Sequence, residues 1–310
     1  MKALITGING FVGKHLSSLL QAENIELIGV DAMAGDEGLC TQYIIDINDQ
    51  KALQDIILDT QPDHIYHLAA PAFIPDSYES PKKTFDSIIF GTVSLLETIR
   101  LSSPYSKLLF VGSSDEYGLY SGTPFSEDML PKPCTPYASA KASASMICAQ
   151  YAAFYDMNVI RTRSFNHMGP GQSPRFVSSS MARQIATLEK SDDAGIVLGN
   201  LDTSRDFLDV RDVVRAYYMI MRLGHNAGEL YNVCSGKQTT IRYLLNSFLN
   251  LTSLRSRPGF SVTCEDQRRK YDNLELCGDN SKIRRESGWS PKIAFETTVL
   301  DILNYWRSLV

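Results

Sequence analysis

MKALITGINGFVGKHL, residues 1–16, joins a short apolar strand to an amphipathic helix through three glycines, Gly7, Gly10 and Gly13. Glycine in a helix costs roughly 1 kcal/mol against alanine, so helix stability does not place them. In a G-x-x-G-x-x-G turn between strand and helix, bare backbone lets a diphosphate approach the amides at the helix N-terminus, where the dipole also favours negative charge. One glycine makes the turn and the last lets the helix lie close to the sheet. Asp31 ends the next strand, IELIGVD, 18 residues beyond Gly13. A carboxylate there can accept from both hydroxyls of an adenine ribose. It also repels a 2′-phosphate, and no arginine follows in DAMAGDEG, so NAD(H) is expected ahead of NADP(H). The plainer alternative is a tight turn in which Asp31 caps a loop.

Outward from this turn, short apolar strands alternate with amphipathic helices. KALITG, IELIGVD, QYIID, HIYHLAA, KLLFVGSS and NVIRTRSF read as strands; residues 50–60, 82–100 and 137–155 read as helices. Such alternation predicts an α/β fold, a doubly wound parallel sheet covered on both faces. After residue 165, Pro170, Gly171 and Pro174 break the pattern before helices near 176–190 and 212–224 and a strand at ELYNVCSG. The expected organisation is a dinucleotide-binding domain over 1–165 and a smaller, intertwined substrate domain over 166–310. Segments near 205–235 should return to the first.

The 310 residues are 44% hydrophobic and carry a net charge of −5. Mild acidity offers no general attraction for nucleic acid or anionic membrane, so an anionic ligand must be held by local cations and amides. The six cysteines show no C-x-x-C pair and no metal-ligand spacing; they read as reduced thiols of a cytoplasmic protein. No apolar run approaches the roughly 20 residues of a membrane helix, and Met1 leads straight into a strand, so no signal peptide is expected.

TPYASAKASAS, residues 135–145, puts Tyr137 and Lys141 four apart on one helix face. A phenol of pKa near 10 is a poor acid or base at neutral pH. A neighbouring ammonium, helped by an oxidised nicotinamide, is expected to pull that value down so that Tyr137 can exchange a proton with a sugar oxygen. Tyr-x-x-x-Lys also arises by chance; its place after the fifth strand gives it weight. Ser113 or Ser114, at the end of FVGSS, sits where open α/β sheets bind ligands and can hold a reacting carbonyl oxygen. Either could be a simple turn residue.

These residues together resemble the extended short-chain dehydrogenase/reductase family of nucleotide-sugar-modifying enzymes, over essentially the whole chain. The resemblance implies that Ser113 is the catalytic hydroxyl, Tyr137 the acid/base and Lys141 the cation on the cofactor ribose. It implies cofactor contacts from Gly7, Gly10, Phe11, Val12 and Gly13, from Leu68, Ala69 and Ala70 of HLAA, and from the adenine-side pair Asp46 and Ile47. FNHMGPGQ (165–172), GNLDTSRDFLDVRDV (199–213) and YNVCSG (231–236) are very similar to the GDP-sugar branch. That branch implies a reductase of a GDP-linked 4-keto-6-deoxy sugar, yielding GDP-D-rhamnose or a C4 stereoisomer. A GDP-mannose 4,6-dehydratase, an epimerase and a non-catalytic NAD(H) or nucleotide-sugar sensor are the alternatives.

For the substrate, Arg205 offers a fork that matches diphosphate oxygens, with an ion pair to Asp206 or Asp209 as the bland reading. Asn166 can donate to the same group. Asp272, with Arg269 three residues before it, falls where the resemblance places a ribose-binding carboxylate, although RRKYDNLEL departs from the usual pattern. Ser114 and Asp115 complete the expected substrate contacts. A dehydratase needs an added base, normally Glu; its slot here holds the shorter Asp115, and Glu116 stands where dehydratases carry an apolar residue. Ile88 replaces a frequent Asn, so a polar contact from that helix to the neighbouring strand is expected to be lost. Phe73 and the loop 71–81 are expected to line the far end of the sugar pocket. The family's habit implies a homodimer through the helices over Thr84–Arg100 and Tyr137–Tyr155.

Overall fold

The structure is a computed structural model that describes residues 1–35, 40–120, 122, 124–191, 195–224, 227–265 and 275–310. Its first half alternates β1 (Lys2–Thr6), α1 (Phe11–Ala22), β2 (Glu26–Asp31), β3 (Thr41–Ile44), α2 (Gln50–Thr60) and β4 (His64–His67). There follow α3 (Ile74–Glu79), α4 (Pro81–Phe85), α5 (Gly91–Ser102), β5 (Lys107–Ser113), α6 (Pro136–Tyr155) and β6 (Val159–Ser164). Local chemistry marks the helix starts. Asp49 Oδ1 accepts from Ala52 N–H at 3.1 Å to cap α2. Thr135 Oγ1 accepts from Ala138 N–H at 3.0 Å to cap α6, with Pro136 in its first turn.

The second half adds β7 (His167–Met168), α7 (Val177–Glu189), β8 (Gly195–Leu198), β9 (Ser204–Arg205), β10 (Leu208–Asp209) and α8 (Val210–Met221). It closes with β11 (Leu230–Val233), β12 (Thr239–Thr240), α9 (Ile241–Leu249), β13 (Ser261–Cys264), α10 (Ser281–Ser287) and α11 (Phe295–Leu309). Seven strands form one sheet in the order β11–β6–β5–β4–β1–β2–β3, and every pairing in it is parallel. This is the α/β fold the strand–helix alternation predicts. The strand order reverses between β1 and β4, and ligands of such sheets bind in the crevice beyond the strand ends at that point.

One apolar core packs α1 and α8 on one sheet face, with Leu16, Leu20, Val213 and Tyr217 fully buried. Ile283 and Trp289, from the last fifth of the chain, join it. A second core packs α2, α5 and α6 on the other face through Leu53, Leu95, Ile99 and Ala144. A third lies away from the sheet among α7, α9 and α11, around Ile185, Phe248 and Ile302.

The single helix expected over 82–100 is broken. Residues Asp86–Phe90 form a π turn in which Gly91 N–H reaches back five residues to Asp86 O. Gly91 is the close-approach point: a Cβ there would lie 2.6 Å from Ile47 Cγ2. Ile88 is buried within the turn, yet a polar contact to β4 is made one turn later. Thr92 Oγ1 donates to Ile88 O at 2.6 Å, which leaves the hydroxyl oxygen to accept from His67 Nε2 at 3.1 Å. His67 Nδ1 then accepts from Thr6 Oγ1 at 2.8 Å, linking α5, β4 and β1 through one imidazole.

Candidate active site

The glycine turn follows β1 at the reversal point. Gly7 has φ +76°, and a Cβ on it would stand 2.8 Å from Ala69 N. A Cβ on Gly13 would stand 2.4 Å from Gly7 O and 2.5 Å from Ile8 O. Only glycine lets helix, turn and the end of β4 approach this closely. Gly10 is the N-cap of α1, no side chain caps that helix, and its first turn carries no acidic residue. A helix start left open by its own sequence suits a diphosphate.

Beyond the turn lies a cleft of about 320 Å³, within the usual range for a small-molecule site. Gly7, Gly10, Phe11, Val12, Gly13, Leu68 and Ala70 line one end. Ser113, Ser114, Asp115, Tyr137, Lys141, Asn166 and Arg205 also line it, so residues from Gly7 to Leu276 converge on one cavity. Ala69, Asp31, Asp46 and Ile47 are not part of that lining. Asp31 accepts from Asn9 N–H, within the glycine turn, at 3.0 Å and from Met33 N–H at 3.1 Å. Asp46 is exposed and caps Asn48, while the Ile47 side chain is buried under Gly91. Arg269 and Asp272 fall outside the described residues. Phe73 stands outside the lining too, but its ring packs edge-on to Phe176, which lines the cleft together with Ala72 and Ile74.

At the end of β5, Ser113 Oγ donates to Asp115 Oδ2 at 3.0 Å and accepts from Asp115 N–H at 3.1 Å. This hydroxyl also acts on the Tyr137 phenol, lowering its proton affinity. Lys141 is buried and donates to Val111 O at 2.8 Å, with its ammonium 5.3 Å from the Phe110 ring centre. The expected acidification of Tyr137 is absent. Burial and then the negative Asp115 push the phenol above its ordinary value, against the pull of the Ser113 hydroxyl. Burial also brings Lys141 down to about 8, with the Glu116 carboxylate opposing. The ammonium spends itself on a backbone carbonyl, so without a ligand it does not draw the phenolic proton off. Tyr137 therefore holds its proton, as a general acid must.

Glu116 cannot be a base facing substrate: it is fully buried and paired with Arg163 at 3.1 Å. Asp206 and Asp209 have other commitments than Arg205. Asp206 takes hydrogen bonds from Ser235 N–H and Oγ–H, Gly236 N–H and Gly278 N–H. Asp209 binds Arg211 and Thr298. Sequence reasoning missed His167 and Tyr217 in the lining. His167 stacks on Phe11 at 6.1 Å and 9°, and its neighbour Asn166 was the available signal. Tyr217 binds Ser164 Oγ at 2.6 Å; the apolar periodicity of α8 hid it among core residues.

Comparison with known proteins meets this geometry. Residues 4–302 match the family described as GDP-mannose 4,6 dehydratase. The chain belongs to the extended short-chain dehydrogenase/reductase family. Within it, the chain is 32% identical to the GDP-6-deoxy-D-mannose reductase of Pseudomonas aeruginosa, covering 100% of this chain and 98% of the relative. It is 27% identical to a GDP-mannose 4,6-dehydratase of Vibrio cholerae, over 95% and 91%. Among solved structures, RMD from P. aeruginosa complexed with NADPH superposes with TM-score 0.85 at 31% identity, covering 99% of each chain. A UDP-glucose 4-epimerase of Thermotoga maritima with UDP-glucose superposes with TM-score 0.88 at 27% identity, over 100% and 99%. As a member of this family the chain is an NAD(P)-dependent nucleotide-sugar oxidoreductase. No helix among the described residues is long and apolar enough to cross a membrane.

Proposed function

We propose that this enzyme reduces the C4 keto group of a GDP-linked 4-keto-6-deoxy sugar, giving GDP-D-rhamnose or its C4 stereoisomer. A reduced nicotinamide bound along Gly7–Gly13 and Leu68–Ala70 supplies the hydride. Tyr137 gives its proton to the nascent C4 oxygen, Ser113 turns its hydroxyl from Asp115 to that oxygen, and Lys141 holds the ribose side of the cofactor. Arg205 and Asn166 take the substrate diphosphate. The observation that carries this reading is the convergence of Ser113, Tyr137 and Lys141 on one cleft while Glu116 is sealed off in its pair with Arg163.

The 4,6-dehydratase reading is weaker because its extra base has no full-length candidate. Glu116 is locked in its ion pair, and Asp115, one methylene short, already accepts from Ser113. The deciding assay supplies enzymatically made GDP-4-keto-6-deoxymannose with NADH or NADPH and identifies the sugar by NMR. Turnover of that ketone is expected, with none of GDP-mannose alone; a 4-keto product from GDP-mannose refutes the reading. Tyr137→Phe should lower kcat by about 10²–10⁴-fold while sparing cofactor affinity.

The Asp31 carboxylate at the end of β2, held by Asn9 N–H from the glycine turn, supports NADH over NADPH; a lower KM for NADPH than for NADH would overturn that preference. Phe90, Leu101, Met146 and Phe154 are exposed on the α5 and α6 side, and we propose that they pair in a homodimer. Met146→Glu with Phe154→Glu should yield monomers in sedimentation, and a monomeric parent protein would refute the dimer. Six free thiols support a cytoplasmic home; recovery of the native protein from an oxidising compartment would count against it.

A further inference from the structure

We propose that Glu116 is a positioning residue for the catalytic set: its carboxylate pins the Ser113 backbone two residues from the carbonyl, Val111 O, that seats the Lys141 ammonium. This rests on the reading above that Ser113, Tyr137 and Lys141 perform the reduction.

After β5, a 3₁₀ turn over Ser114–Tyr117 carries Glu116 back beneath the strand end. Its Oε1 accepts from Ser113 N–H at 2.9 Å and its Oε2 from Arg163 Nε at 3.1 Å, so both oxygens are engaged with no solvent exposure. Space is reserved for it. A Cβ on Gly112 would fall 2.2 Å from Glu116 Oε1 and 2.3 Å from Thr162 O, so a side chain at 112 would evict the carboxylate. Arg163 is itself buried; it donates to Met129 O at 3.3 Å and lies 4.3 Å over the Tyr117 ring.

A buried ion pair of this kind adds little stability over apolar residues of equal volume. Its presence beneath the reacting hydroxyl therefore calls for another reason, and Lys141 supplies one. The ammonium is sunk between Phe110, Val111 O and the helix α6, where desolvation favours the neutral amine. The groups acting on it are Glu116 from the 3₁₀ turn and the Cys148 thiol on α6, while the ammonium in turn lowers the proton affinity of the His67 ring on β4. Glu116 is the carboxylate that opposes the loss of the proton. Burial raises the proton affinity of Glu116 itself, and Arg163 and the Ser113 N–H oppose that rise. The chain of influence runs from Arg163 through Glu116 to Lys141, and by the hydrogen bond to Ser113 N–H into the other half of the site.

The test is Glu116→Gln, which keeps an acceptor for Ser113 N–H and removes the charge. Protein labelled with ¹³C at lysine Cε, without substrate, reports Lys141 directly, its signal assigned by loss in Lys141→Arg. In Glu116→Gln the Lys141 midpoint is expected to drop from near 8 by about one to three units. Activity at pH 7.5 should fall about ten-fold through kcat, recover toward pH 6, and leave the KM for the nucleotide sugar within about two-fold. A Lys141 midpoint that stays in place overturns the proposal. Should the single variant fail to fold because Arg163 is left unpaired, Glu116→Gln with Arg163→Met removes both charges and is read by the same titration. Because that readout needs no substrate, a shifted midpoint in an enzyme that reduces no GDP-sugar would sink the proposed reaction and leave the role of Glu116 standing.

Discussion

His67 gives the sharpest test of how the cofactor wall is held. The ring is 3% exposed, accepts from Thr6 through Nδ1 and donates to Thr92 through Nε2. A second proton has no acceptor waiting, and burial together with the positive Lys141 pulls the imidazole down to about 3. The sign follows from linkage: below its ordinary value of 6.5 the unfolded chain binds a proton that the native ring refuses, so stability falls as pH falls. From pH 7.5 to 4.5 this one ring should remove about 2.7 kcal/mol, at roughly 1.4 kcal/mol per unit once the unfolded form is protonated. His67→Gln keeps a donor toward Thr92 and cannot titrate. Urea unfolding of both proteins at pH 7.5, 6.5, 5.5 and 4.5 should show the parent losing about 2.7 kcal/mol more than the variant over that range. Parallel losses in the two proteins would refute the reasoning, because the neutral, two-sided hydrogen bonding of His67 would then carry no pH penalty.

Two further outcomes follow from contacts already described. Gly13→Ala drives a Cβ against two backbone carbonyls that have no room to yield, so cofactor affinity, read by titrating reduced-cofactor fluorescence, should weaken at least about ten-fold. Arg205→Ala should raise the KM for the nucleotide sugar by about 10–100-fold with kcat changed little, since a diphosphate contact is made equally in ground and transition states; an unchanged KM would place the diphosphate elsewhere.

The parallel sheet and the glycine turn were legible because their signals are local: β-branched runs, helical periodicity and glycines at fixed offsets. Ser113, Tyr137 and Lys141 were legible for the same reason, being a strand end and one helix face. What escaped depends on contacts distant in sequence. The π turn at Asp86–Phe90 answers to Gly91 pressing on Ile47, and nothing within residues 82–100 records that neighbour. The link from Thr92 to His67, 25 positions earlier, leaves no local mark in the helix sequence. The proton affinity of Tyr137 was misjudged because spacing reports that Lys141 shares its face, while the structure shows where the ammonium points. Glu116 falls where dehydratases carry an apolar residue, and only Arg163 on the adjacent strand explains how a carboxylate is buried there.

The Asp206 carboxylate gathers Ser235, Gly236 and Gly278 around the residue next to Arg205. The end of the chain thereby acts as the foundation of a site to which it contributes almost no surface. Proteolytic removal of the polypeptide from Gly278 onward would undermine the seat of Arg205 while β1 to β5 retained all their mutual pairings. Because Ile283 and Trp289 leave the core beneath α1 at the same stroke, a clipped enzyme should lose its sugar site and loosen its dinucleotide site together.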